Sequence, residues 1–192
     1  MHALPAAPAP TVSRQLFVGT ALTCAALATM YGGMIALYLR FRQNTLNSGG
    51  EWRPDSAVVP EVATNVMLMS FLGIFVFAQW AVYAARRDHK TYTALALGLV
   101  ALCGFAIINA QVFVYTQMEL VIREGTYETF FYALTGLFVV LMIFGVFFTL
   151  VTAFRHLGGR SRERDIVAAH AMYWYFLGAV FSALWFVVYV TK

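Results

Sequence analysis

The chain has 192 residues, 61% of them hydrophobic and 11% charged, well under the roughly 25% charged share of soluble domains. A formal net charge of +4 on so apolar a chain excludes a soluble enzyme or nucleic-acid binder and points to an all-α integral membrane protein whose charges set its orientation. Its long apolar runs lack the period-two alternation of a barrel, so helices must cross the membrane.

In chain order, residues 1–15 (MHALPAAPAPTVSRQ) are rich in Pro and Ala and offer no apolar face; they read as a disordered cytoplasmic tail. The apolar run after Arg14 is too long for a signal-peptide core and ends in YLRFR, so the first span is expected to be retained. Five spans follow, at about 16–39, 62–84, 92–115, 129–152 and 168–190, each long enough to cross a roughly 30 Å hydrocarbon core. Residues 16–192 therefore read as one five-helix transmembrane domain.

The first span carries Ala21, Ala25, Ala28 and Gly32 as a narrow seam, and the fifth repeats the device with Gly178 and Ser182. Small residues let backbones approach closely, and packing inside the chain's own bundle is the preferred reading. Cys24 and Cys103 are isolated within spans and read as packing residues rather than a disulfide or metal site. The connections FRQNTLNSGGEWRPDSAVVPE, RRDHK and RHLGGRSRERD hold most of the charges and turn formers.

An odd number of spans separates the termini. Arg14, Arg86, Arg87, Lys90, Arg155, Arg160, Arg162 and Arg164 lie on the N-terminal side, against Arg40, Arg42, Arg53, Arg123 and Lys192 on the other. The richer side goes inside, so the N-terminus is expected in the cytoplasm. The same inner residues could also form a collar for anionic phospholipids, each contributing about 1 kcal/mol near a negative surface; plain orienting charge is the simpler reading.

No Asp, Glu, Lys or Arg lies deep in any span, which removes the usual parts of a proton relay or ion-coupled transporter. Asn65 with Asn109 and Gln111 fall in the same half of the bilayer and are the candidate interhelix hydrogen-bonding set. Of the four histidines, His2 is in the tail, His89 and His156 are in connections, and His170 stands at the entry to the fifth span, where it reads as interfacial. No pair of histidines can hold a haem or copper within the bilayer. Neither Ser70 nor Ser182 has a base nearby in sequence. On these residues the chain has no catalytic group, cofactor ligand or metal ligand of its own.

Several stretches together resemble subunit III of the haem-copper oxygen reductases, the cytochrome c oxidase subunit III family, in a divergent, short five-helix bacterial form. They are GGEWRP (49–54), Asn65 and Ser70 with the exit Ala85–Arg86, then Gly104, Gln111 and Tyr115, the start FFYALTG of the fourth span, and Trp174 with Phe176. The chain departs from the pattern where the family carries ionisable groups. Phe138 and Leu141 stand in place of two histidines, Tyr175 and Gly178 in place of a histidine and an aspartate, and Leu27 and Val114 in place of two acids.

The resemblance implies a non-catalytic accessory subunit in the bacterial inner membrane. It would form a hetero-oligomer with the haem-copper catalytic subunit I and subunit II, bind phospholipids, and leave haem and copper to its partner. Trp52, Arg86, Arg87, Arg155, His170, Trp174 and Tyr175 are then the candidate lipid or interface residues. An accessory subunit of a nitric oxide reductase-type complex and a stand-alone small transporter are the alternative readings. FFYALTGLFVVLMIFG, on this view, holds a partner and does not react.

Overall fold

A computed structural model describes residues 14–54, 57–118, 120, 125–158 and 164–191. They form five α-helices: α1 (Gln15–Asn47), α2 (Glu61–Arg86), α3 (Lys90–Met118), α4 (Thr126–Leu157) and α5 (Arg164–Leu184), the last continuing into a π-helical turn, Trp185–Val190. All five are long and apolar enough to cross a membrane. The helices outrun the apolar runs in the sequence, α1 by eight residues past Leu39, because backbone hydrogen bonding continues after the side chains turn polar. The proposed tail lies almost wholly outside the described residues, as do Arg123, Arg160, Arg162 and Lys192.

Hydroxyl groups inside these helices are satisfied locally. Thr20, Thr23, Thr29, Ser70, Thr149 and Ser182 each donate to the carbonyl four residues back, at 2.8–3.0 Å. Such back-bonding makes a hydroxyl tolerable in hydrocarbon without a second helix.

α2 packs along α3 and α3 along α4, while α5 lies against α2, α4 and α1. α5 is the most enclosed span and α1 the least. The core is aromatic. Phe71 of α2 stacks on Phe181 of α5 at 5.3 Å between ring centroids, and Phe138 of α4 closes the group at 5.2 Å from Phe181 and 6.2 Å from Phe71. On α4, Phe131, Leu134, Thr135, Phe138, Leu141, Met142 and Gly145 are buried at helical spacing, so the run FFYALTGLFVVLMIFG turns one face to the bundle and the other to lipid.

The two small-residue seams behave differently. Gly178 packs inside the chain: a Cβ there would run into the ring of Phe75 and press on Phe71, so α2 and α5 approach closely only because no side chain intervenes. The α1 seam corrects the expectation of internal packing. Ala25, Ala28 and Gly32 are exposed, and no heavy atom lies within 4 Å of a Cβ built on Gly32. α1 instead buries Cys24, Tyr31 and Tyr38, seven residues apart, and Tyr31 donates its hydroxyl to the Leu134 carbonyl at 3.4 Å.

Candidate functional site

Three features carry the polar and ligand-sized chemistry: a buried cluster between α4 and α5, a set of ties at the bundle end opposite the N-terminal residues, and an apolar groove between α1 and α4.

The buried cluster centres on His170. It is fully enclosed, and its Nε2 lies 2.8 Å from Thr149 Oγ1 and 2.9 Å from the indole nitrogen of Trp174, which is itself 3.0 Å from Thr149 Oγ1. An indole N–H can only donate, so Trp174 is the donor toward both Thr149 Oγ1 and His170 Nε2. His170 and Trp174 are four apart on α5, hence on one face, and that face is turned to Thr149. Trp174 fits because Gly104 and Gly145 leave room; a Cβ on Gly104 would stand 2.8 Å from its ring. Both residues are lipid or interface candidates on the sequence. Complete burial removes them from any lipid-facing surface, and they tie α5 to α4 instead.

The expected pairing of Asn65 with Asn109 and Gln111 does not form. Asn65 Oδ1 accepts from the Trp185 indole at 3.0 Å, and Gln111 Nε2 donates to the Tyr189 hydroxyl at 3.2 Å, which returns a bond to Gln111 Oε1 at 3.3 Å. Asn109 is exposed and makes no hydrogen bond with a described residue. Both partners stand on the π-turn, Trp185 at its first position and Tyr189 at its fifth, and Val187, Val188 and Tyr189 are buried there. Tyr189 and Trp185 reach α3 and α2. Neither was singled out in the sequence, where a backbone bulge leaves no mark.

Trp52 is buried, donating to the Tyr38 hydroxyl at 3.0 Å. Tyr175 is on the surface, its hydroxyl donating to Gln79 Oε1 at 2.8 Å. Arg86 is exposed, Arg87 lies 4.1 Å over the Tyr83 ring, and Arg155 is half-buried in the last turn of α4.

The groove consists of two adjoining hollows of about 470 and 660 Å³. Thr23, Phe148 and Tyr173 line both. Leu27, Leu141, Phe144, Phe147 and Val151 complete one, while Gln15, Leu16, Gly19 and Thr20 extend the other to the start of α1. From Gln15 to Leu27 the helix rises about 18 Å, slightly more than the roughly 15 Å of one leaflet's hydrocarbon.

Val114, Phe138, Leu141, Leu27 and Gly178, where the resemblance implies ionisable groups, carry none here. Val114, Phe138 and Leu141 are buried, Leu27 lines the groove, and Gly178 is held side-chain-free by Phe75. Among the described residues, no three His, Cys, Asp or Glu side chains come together as metal ligands.

Five long apolar helices joined by polar ties define a multi-pass helical-bundle membrane protein. Residues 12–192 match the family model described as cytochrome c oxidase subunit III; the chain belongs to that family. Similar curated proteins include cytochrome c oxidase subunit 3 of Petromyzon marinus, 29% identical over 133 residues covering 68% of this chain and 49% of the relative. That of Drosophila yakuba is 26% identical over 149 residues, covering 73% and 55%. That of Tragelaphus oryx is 26% identical over 189 residues, covering 94% and 71%. The chain spans about half the length of the first two.

Proposed function

We propose that this chain is a non-catalytic accessory subunit of a respiratory haem-copper oxidase in a bacterial inner membrane, its N-terminus in the cytoplasm. It braces a catalytic subunit I, with subunit II, and orders phospholipid at their boundary; haem and copper belong to the partner, which carries out the reduction of dioxygen. The observation that carries the reading is the outer face of α1. It is the least enclosed span, and its exposed Ala25, Ala28 and Gly32 form the close-approach surface that a neighbouring helix uses in lipid, where packing rather than hydrophobicity drives association.

The apolar groove supports the lipid role. Its length fits one leaflet's acyl chain, and Gln15, beside Arg14, lies at its end. The aromatic group of Phe71, Phe138 and Phe181 fills the space between α2, α4 and α5, where a transporter would need a polar path.

The test is extraction of the tagged chain from its own membrane in mild detergent, followed by an optical spectrum and subunit composition. A larger particle with haem bands is expected. A homogeneous, haem-free particle active in solute transport overturns the reading.

A further inference from the structure

The linker after α1 folds back onto the bundle. Trp52 is its anchor: its ring meets Tyr38 and Tyr127 edge-on at 5.2 and 6.0 Å, which fixes Glu51 and Arg53 on either side. Between this linker and the start of α4 lies an open pocket of about 260 Å³, lined by Thr45, Glu51, Trp52, Arg53, Tyr127 and Glu128 among others. Its size, just under the roughly 300 Å³ of the smallest ligand sites, suits a head group rather than a whole lipid.

Two of its walls are chemically incomplete. Tyr127 is 4% exposed and Glu128 7%, and each keeps an oxygen, the Tyr127 hydroxyl and Glu128 Oε2, buried with no hydrogen-bond partner among the described residues. A buried carboxylate oxygen without a donor is costly and calls for a cationic one. Gly125 keeps the carboxylate in place, since a Cβ there would lie 2.5 Å from Oε2. Glu51, Arg53 and Glu128 form no ion pair with a described residue.

The wall thus presents one guanidinium and two carboxylates. A simple cation would meet Arg53, and a simple anion would meet Glu51 and Glu128; a ligand carrying both signs satisfies all of them. We propose that this pocket binds the phosphoethanolamine head group of a membrane lipid, its ammonium on Glu128 and its phosphate on Arg53. The setting is that of a head group. Trp and Tyr mark the membrane–water boundary, and just toward the membrane the seam of α1 and α4 offers exposed Leu37 and Phe41, with Phe41 5.2 Å from Phe130, as a bed for acyl chains. The site is built from this chain alone and stands whether or not the oxidase partnership does.

The test places the full chain, extracted from its membrane, in lipid nanodiscs of equal phosphatidylethanolamine and phosphatidylcholine, and counts retained lipids by native mass spectrometry. The trimethylated head group of phosphatidylcholine has no N–H for Glu128. Retention of the ethanolamine lipid is expected to exceed that of the choline lipid by about fivefold or more. Glu128→Gln and Gly125→Ala are each expected to bring the ratio near unity, and Arg53→Gln to lower retention of both lipids, with thermal unfolding confirming that each variant is folded. Equal retention by the unmodified protein, which needs no variant, overturns the proposal. So does a folded Glu128→Gln protein with an unchanged ratio.

Discussion

Replacing Trp174 by Phe tests the tie that fastens α5 to α4. The substitution removes the indole N–H, which lies 2.9 Å from His170 Nε2 and 3.0 Å from Thr149 Oγ1, and leaves a void beside Gly104 and Gly145. Interhelix hydrogen bonds in membrane proteins average about 0.6 kcal/mol and reach about 1.7. The lost ring volume, roughly 40 Å³, adds about 1 kcal/mol at ~24 cal/mol per Å³. A loss of about 2–3 kcal/mol is therefore expected, read as a shift in reversible unfolding by denaturing detergent. Thr149→Val keeps the side-chain shape and removes the shared hydroxyl. Because both changes break one network, the double variant should lose less than the sum, with a coupling of about 0.5–1.7 kcal/mol. Strict additivity of the two would refute the shared hydrogen-bonding role and leave Trp174 as packing only.

Gly178→Ala is expected to cost about 1–3 kcal/mol by forcing Phe75 and Phe71 aside, whereas Gly136→Ala, with no atom within 4 Å of the new Cβ, should be neutral or stabilise by up to about 1 kcal/mol; equal effects in detergent unfolding would contradict the close α2–α5 approach. Phe138→His places an imidazole at a position 1% exposed. Losing two ring pairs and burying an unpartnered imidazole should cost about 3–5 kcal/mol, and an unchanged unfolding midpoint would show that the position does not demand hydrocarbon.

The sequence by itself determined that five helices cross a membrane, because hydrocarbon length and the need to satisfy every backbone group leave no other solution. The family was also legible, through GGEWRP, FFYALTG and the aromatics near Trp174. Only the tertiary structure decided which side chains meet. Burial of His170 depends on how α5 rotates against Thr149, which span boundaries do not specify. Asn65 and Gln111 find Trp185 and Tyr189 on the π-helical end of α5, a backbone form that composition and hydropathy do not mark. The α1 seam illustrates the same limit. A stripe of small residues states that something can come close; which helix does so depends on the arrangement of the other four, and here they leave it facing outward.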